Sequence, residues 1–240
     1  MNRRLLPYFL VLLIPASLWA TETYVNQDNT GDITGSTPER GYLTIADGIS
    51  NINGSDAYPD TLYIVGSDSA YEVSMILSIN LTFVGISNNQ TGQDSVFLTA
   101  VDSTVFEIPT LSSELNDPIE ASWHNLVFQD SYRAIDAVIE FYPDMSLRFV
   151  DCTFQRTNTN ANIGGIRINA VDEALIEIDN CTFSNLHSSS LSSAIDIRGG
   201  KRVSITNSVF LNDTTTSKEG GAVGIMDADE IRISSSTFQN

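Results

Sequence analysis

One stretch in the second half of the chain decides the fold, and it reads Leu175-Ile176-Glu177-Ile178-Asp179-Asn180-Cys181-Thr182-Phe183. The pattern occurs five times, at intervals of 26, 29, 27 and 28 residues, and its copies end on Phe128, Phe154, Phe183, Phe210 and Phe238. Apolar residues stand seven and five positions before each phenylalanine, and a β-branched residue stands directly before it. Such a fixed period is typical of one supersecondary unit stacked on copies of itself.

A small polar residue stands three positions before each of these phenylalanines. These residues are Asn125, Asp151, Asn180, Asn207 and Ser235. In a stacked repeat they fall where a strand ends, and stacked amides can hydrogen-bond to one another and to the turn backbone. The same column could instead supply ligands for a cation. We interpret it as a structural ladder, because asparagine at a bend has a purely conformational reason to be there.

A second β-rich segment also repeats within the regular coils. It comprises Ile166-Arg167-Ile168, Ile195-Asp196-Ile197 and Val223-Gly224-Ile225, which align at offsets of 29 and 28 residues. Strands this far apart in sequence but adjacent in space run parallel, and their connections are nearly always right-handed. We therefore predict an all-β fold, a right-handed parallel β-helix with coils of about 26 to 29 residues, over residues 57–240.

Residues 21–56 precede the coils and predict a strand followed by a short capping helix. Thr44 and Asp47 have the spacing of a capping box, and Ile45, Ile49 and Ile52 follow on one helical face. The helix should end near Gly54 and cover the backbone groups and apolar side chains of the first coil. Residues 109–118 contain two prolines without periodicity and predict a loop.

Residues 1–20 have the features of a signal peptide. Arg3 and Arg4 precede an apolar stretch that leads to a cleavage site after Ala20. A membrane anchor is the alternative, but the apolar run is shorter than the roughly 20 residues that a bilayer requires. We expect the mature chain to be secreted or held at the cell surface, with no membrane span of its own. Because the pattern stops one strand into a new coil, we also expect this sequence to be part of a longer protein.

The charge of the chain limits its partners. It contains 30 acidic against 12 basic residues, a formal net charge of −18. This charge repels nucleic acid and is compatible with glycans, with another surface protein or with cations. The acidic residues in turns do not recur at the repeat spacing: Asp28, Asp32, Asp213, Glu219, Asp227, Asp229 and Glu230. We therefore predict no specific metal site and no cofactor.

No catalytic set is recognisable in the sequence. His124 and His187 occupy unrelated positions of the repeat, one in a strand and one in a serine-rich loop. Gln129-Asp130 could belong to an esterase-like site, but Asp130 occupies a turn position and is interpreted as a turn residue. A catalytic role could also be sought in the outward-facing residues Arg167, Asp196 and Arg198. Cross-strand charge pairing is the simpler interpretation of that group.

The two cysteines stand at the same position of adjacent coils. Cys152 and Cys181 each precede a repeated phenylalanine by two residues. Stacked neighbours would place their Cα atoms about 4.8 Å apart, inside the range for a disulfide. Ladder positions that face the same way can lack the required torsion, so both the disulfide and the free thiols remain open.

The sequence as a whole resembles the right-handed parallel β-helix proteins of the pectate-lyase-like superfamily, which are exported by bacteria. The opening segment at residues 24–35 and the helix at residues 43–49 carry this resemblance, together with the repeats. Residues 180–185 and 220–223 also resemble the short repeats of polymorphic outer-membrane proteins. The catalytic motifs of the polygalacturonase-like enzymes are absent. We expect a non-catalytic repeat region that serves adhesion, glycan contact or display; the alternative is a polysaccharide lyase or glycoside hydrolase whose active coils lie partly beyond residue 240.

Overall fold

The computed structural model describes eleven segments of the chain: residues 22–52, 60–76, 80–89, 91–100, 103–108, 119–138, 145–156, 164–170, 173–188, 192–216 and 221–239. The predicted signal peptide at residues 1–20 lies outside these segments, as does the predicted loop at 109–118. The described part is a parallel β-solenoid of about five turns with 56% strand and very little helix. The predicted fold class is therefore confirmed.

Three parallel sheets form the walls of the solenoid, named A, B and C here. Sheet A contains, in stacking order, Glu22–Val25, Asp60–Val65, Leu81–Ile86, Ile119–His124, Met145–Val150, Leu175–Asp179, Arg202–Thr206 and Glu230–Ser234. Sheet B contains Tyr71–Glu72, Phe97–Thr99, Val127–Gln129, Thr153–Gln155, Thr182–Ser184, Val209–Leu211 and Thr237–Gln239. Sheet C contains Met75–Ile76, Thr104–Ile108, Arg133–Val138, Gly164–Asn169, Ile195–Arg198 and Val223–Met226. Each regular coil therefore contributes a strand to each of the three sheets, where the repeat had predicted at least two strands per coil.

The register of the strands follows the sequence repeat. In sheet B, Phe154 pairs with Phe128 on one side and with Phe183 on the other. The stack continues through Phe210 to Phe238, and all successive rings lie nearly parallel with centroids 4.5 to 4.9 Å apart. Because the period of a strand is two residues, the residues that flank each phenylalanine point the opposite way. One phenylalanine per coil thus builds a continuous column inside the solenoid.

Sheet A supplies the facing half of the core. Ile176 and Ile178 are buried, and they pair with Leu147 and Phe149 of the preceding coil. The aromatic column of sheet A also includes Trp123, which stacks on Phe149 at 4.8 Å. These inward positions are the apolar pair of the repeat, seven and five residues before the phenylalanine of sheet B. Their alternation with polar residues leaves the other face of sheet A to solvent.

Left-handed backbone conformations make the bend between sheets A and B. Asn125, Asp151, Asn180, Asn207 and Ser235 all have φ between 52 and 55°. Asparagine and aspartate tolerate this conformation better than other residues with a side chain. A second bend follows sheet B, where Asp130, Asn185 and Asn212 have φ between 52 and 57°. The polar columns of the sequence are therefore the corners of the coil.

A short helix at Ile45–Ser50 lies over the first coil, preceded by a 3-10 turn at Pro38–Arg40. The Thr44 hydroxyl oxygen accepts a hydrogen bond from the Asp47 amide at 3.1 Å, as the capping box predicts. The helix ends at Ser50, earlier than the predicted end near Gly54, a residue outside the described segments. Gly48 is buried, and a Cβ atom there would lie 2.6 Å from Val25 and 2.9 Å from Leu62. Glycine thus lets the helix approach the first two strands of sheet A closely.

Candidate binding face

The outer face of sheet A carries a groove of about 270 Å³ between four neighbouring strands. We call this region the sheet A face, and its lining residues are Ser146, Leu175, Ile176, Glu177, Arg202, Ser204, Glu230 and Arg232. Most of these are polar residues that alternate along their strands with the buried apolar pairs of the core. The groove is therefore built on backbone that the solenoid core holds in place.

Strand register brings charges of both signs together on this face. Arg148 lies beside Glu177, with its Nε atom 3.1 Å from the carboxylate, and each side chain is 49% exposed. Such an exposed pair contributes little to stability because water screens it. Arg202 pairs in register with Leu175 and with Glu230, but no described carboxylate lies within ion-pair distance of its guanidinium. The face therefore presents an arginine to solvent on a strongly acidic chain.

The bend beside the sheet A face is a network of carboxylates and amides. The Asn180 side chain donates to Asp151 at 2.5 Å. Asn207 donates to Asp179 at 2.8 Å, and Thr206 donates to the same oxygen at 2.6 Å. These hydrogen bonds from Thr206 and Asn207 lower the pKa of Asp179.

The ladder thus differs in detail from the predicted amide column. Neighbouring coils are joined by amide-to-carboxylate hydrogen bonds. At the start of the regular coils the Asn125 amide donates to the Gly85 carbonyl at 2.9 Å. His124 lies next to this bend, and burial, followed by the charge of Arg148, lowers its pKa.

A second ladder, which the sequence analysis missed, lies one residue further along the chain. Its members are Leu126, Cys152, Cys181, Ser208 and Ser236. The Cys181 amide donates to the Ser208 hydroxyl at 3.1 Å, and the Ser208 amide donates to the Ser236 hydroxyl at 3.1 Å. Each of these hydroxyls donates in turn to the carbonyl two residues earlier. The signal in the sequence was the recurrence of a small OH or SH side chain after the bend residue.

Both cysteines are buried in this ladder as free thiols. The Cys152 thiol donates to the Trp123 carbonyl at 3.3 Å, and the Cys181 thiol donates to the Phe149 carbonyl at 3.6 Å. Both thiols therefore point toward the preceding coil. Burial, together with the interaction with the neighbouring Cys181 thiol, raises the pKa of Cys152 well above its ordinary value. A buried thiol with a raised pKa reacts slowly, and the disulfide that the spacing allows stays an untested alternative to the free thiols.

The outer face of sheet C contains the charged residues for which a catalytic role was considered. Arg167 donates to Asp136 of the preceding coil through two nitrogen atoms, one of them at 2.8 Å. This pairing raises the pKa of Arg167. Asp196 was predicted to point outward but is only 5% exposed, and its carboxylate lies 4.0 Å from Arg198. Arg167 and Asp136 are therefore paired across neighbouring strands, whereas Asp196 and Arg198 lie close together on one strand.

The remaining residues considered for a catalytic role, His187 and Asp130, occupy different parts of the coil. His187 belongs to a two-residue strand, His187–Ser188, that pairs with Thr214–Thr215. Its Nδ1 atom lies 2.9 Å from the Thr214 hydroxyl, whereas the sequence had placed His187 in a loop. Asp130 lies at the second bend, in the left-handed conformation shared by Asn185 and Asn212.

Asp213 is a buried carboxyl that the sequence analysis did not single out for its burial. One of its oxygens accepts a hydrogen bond from the Leu186 amide at 2.9 Å. The other oxygen has no hydrogen-bond partner among the described residues. Burial raises the pKa of Asp213 to about 7, against the opposing effects of the Leu186 hydrogen bond and of Arg156.

Comparison with known proteins returns no relative. No protein-family model, curated protein or solved structure matches the chain. Within the described segments, no group of three or more histidine, cysteine or acidic residues is arranged to hold a metal ion. The described helices are also too short and polar to cross a bilayer. The fold therefore defines the chain as a parallel β-solenoid protein, and its function has to be argued from its surfaces.

Proposed function

We propose that this chain is a non-catalytic β-solenoid module of a secreted or cell-surface protein and that it contacts glycans through the sheet A face. The observation that carries the proposal is the groove with Arg202 beside Glu177 and Glu230 on a rigid sheet. Sugar hydroxyls both donate and accept hydrogen bonds, so a surface with arginine, carboxylate and serine groups can match them. Rigid backbone reduces the entropy that binding must overcome.

The rest of the chain is consistent with this role. The leader-like residues 1–20 favour export, and the resemblance of the repeats to exported β-helix proteins points the same way. A repeated scaffold presents a long continuous surface, which suits contact with an extended ligand. Glu177 pairs with Arg148, which fits a binding role better than a role in acid–base chemistry.

The test is a binding experiment on residues 21–240 with a panel of neutral and acidic oligosaccharides, followed by calorimetry with the best ligand. Arg202→Ala should weaken binding about tenfold, which corresponds to about 1.4 kcal/mol. Arg198→Ala is the matched control, because Arg198 is an arginine of sheet C whose side chain is 50% exposed. The control should bind as the wild type does.

Two results would contradict the proposal. Equal losses in both arginine variants would show that the sheet A face is not the site. The appearance of new reducing ends or of unsaturated sugar products would instead support the lyase or hydrolase alternative.

A further inference from the structure

One early coil carries an insertion at the corner between sheets A and B. Later coils turn this corner with two residues, for example Asn125 and Leu126. In the early coil, residues 87–96 connect Leu81–Ile86 to Phe97–Thr99, and we call this segment the corner loop. Loops held on a rigid scaffold are where binding residues concentrate. The corner loop is therefore a candidate wall of a binding site.

The corner loop lines a cleft of about 280 Å³ together with the 3-10 turn at Pro38 and Glu39. Val65 and Ile86 supply apolar lining, and they pair in register at the ends of their strands. Val65 is 1% exposed although it does not belong to the connected core of the solenoid. Since side chains alternate along a strand and Ile64 is a core residue, Val65 lies on the outer side of sheet A. We call this site the N-terminal cleft.

Hydrogen bonds fix the polar walls of the N-terminal cleft. The Asn26 side chain, which lines it, donates to the Pro38 carbonyl at 2.9 Å and so holds the 3-10 turn. In the corner loop the Asn88 amide donates to the Gln93 carbonyl at 2.8 Å, and the Gly92 amide donates to the Asn88 carbonyl at 2.8 Å. A cleft whose walls are already held in place loses less entropy when a ligand binds.

The chemistry of the N-terminal cleft suits a neutral sugar residue. Among the described lining residues Glu39 alone is charged, and it is exposed. Ser87 and Asn89 are also exposed, and they add a hydroxyl and an amide. Carboxylate and amide oxygens accept hydrogen bonds from sugar hydroxyls, and Val65 and Ile86 can contact the C–H face of a sugar ring. The carboxylate and the net charge of −18 both disfavour an anionic ligand.

We propose that the N-terminal cleft is a second subsite for the glycan and that it holds a neutral sugar residue. This inference rests on the proposed function, since the groove of the sheet A face would bind another part of the same glycan. Three strand spacings of about 4.8 Å and six residues of about 3.3 Å along the strands separate Ile86 from Leu175 in the groove. The two subsites are thus about 25 Å apart, a distance that only a glycan of several sugar residues can span.

The experiment titrates residues 21–240 calorimetrically with cello-, xylo-, manno- and malto-oligosaccharides, from disaccharides to octasaccharides. In at least one series the disaccharide should bind, and the affinity should rise again once the glycan reaches both subsites. Glu39→Gln removes the charged acceptor and should weaken the disaccharide about tenfold. Arg202→Ala should weaken the octasaccharide and leave the disaccharide unchanged. Glu72→Gln is the matched control, an exposed glutamate of sheet B, and should bind as the wild type does.

A second variant, Asn89→Ala, tests the corner loop and should also weaken the disaccharide. Glu39 and Asn89 are exposed, so thermal unfolding of both variants should match the wild type. The inference is overturned if none of the four series binds, or if both cleft variants bind as the wild type does. A loss confined to Arg202→Ala would remove the cleft and keep the sheet A face, and a loss confined to the two cleft variants would do the reverse.

Discussion

At the scale of single residues, the stability of this chain depends on what each position of the coil requires. The bend between sheets A and B requires a left-handed backbone, which explains the small polar column better than a ligand role does. The column in sheet B requires an apolar ring of constant size. Stacked aromatic pairs contribute about 0.5 to 1.5 kcal/mol beyond the burial of their area. The repeat pattern thus reflects the backbone conformation of the bend and the packing of the core at each position.

Phe183→Ala should lower the free energy of unfolding by about 3 to 5 kcal/mol. Phe183 is fully buried and stacks on Phe154 at 4.6 Å and on Phe210 at 4.8 Å, so truncation leaves a cavity between two rings. Urea unfolding followed by fluorescence measures the change. Ile76→Ala is the control, because Ile76 is 64% exposed, and it should cost less than about 1 kcal/mol. Similar costs for the two variants would place Phe183 outside the core.

Asp213 should make stability depend on pH between about 4 and 7. Its folded-state pKa of about 7 lies above the ordinary value, so the folded state holds a proton that the unfolded state releases. The free energy of unfolding should therefore fall as the pH rises from about 4 to about 7 and then stay level. Asp213→Asn keeps an acceptor for the Leu186 amide and should remove this fall. The measurement is the melting temperature of both proteins across that range.

Asp179 is the matched control for Asp213, because its pKa is shifted in the opposite direction. Hydrogen bonds lower the pKa of Asp179, so its contribution is present above its unfolded-state pKa and is lost as the pH falls. In the Asp179→Asn variant, the free energy of unfolding should therefore fall less on acidification than it does in the wild type. If the difference in melting temperature between the wild type and Asp213→Asn does not change with pH, the pKa of Asp213 is not raised in the folded state.

At the scale of elements, the regular coils were the predictable part and the early coils were not. A phenylalanine at a fixed position aligns the strands of sheets A and B, and the Ile-x-Ile segments align sheet C. The coils before Phe128 lack the repeated phenylalanine that aligns the later strands. The short strands Tyr71–Glu72 and Met75–Ile76 could not be assigned to sheets from so few residues. His187 was misplaced for the same reason, since a two-residue strand has no detectable alternation.

The candidate binding face was less predictable than the fold. Alternation along a strand shows which residues face outward, so Glu177 and Arg202 could be assigned to the surface. Which outward residues become neighbours depends on the stagger between coils of 26 to 29 residues. Burial of Asp196 and Asp213 also depends on how the turns cover the sheets, and no local pattern encodes that. The groove therefore emerged only with the three-dimensional structure.

Gly48→Ala should destabilise the protein although alanine is the better helix former. In an exposed helix the exchange would stabilise by up to about 1 kcal/mol. Here the added methyl group would lie 2.6 Å from Val25, so the helix must move off the first coil. We expect a cost of about 1 to 3 kcal/mol by thermal or urea unfolding. Ser50→Ala, at an exposed position of the same helix, should change stability by less than about 0.5 kcal/mol. A stabilised Gly48→Ala variant would show that the helix does not press on the first coil.

At the scale of the whole molecule, the chain combines a rigid scaffold with surfaces of different character. Sheet A offers a groove with both charges, and sheet C offers paired charges. A solenoid holds such surfaces at fixed distances because each coil contacts its neighbours along three sheets. That division of surfaces is the basis of the proposed display role.

Expression of residues 1–240 in a bacterium should yield an exported protein that begins at Thr21. Arg3, Arg4 and the apolar stretch predict export, and Ala20 supplies the small residue directly before the predicted cleavage site. Intact-mass analysis of the exported protein gives the N-terminus. A chain that keeps Met1 and stays with the membrane fraction would favour the anchor alternative for residues 1–20.

One sequence pattern, repeated every 26 to 29 residues, stacks parallel coils with its phenylalanines inside. A crystal structure of residues 21–240 tests this most directly. We expect the rings of Phe154, Phe183 and Phe210 in one buried column, with centroid separations near 4.6 and 4.8 Å. Phenylalanine rings on the solvent side, or neighbouring repeats paired antiparallel, would contradict it.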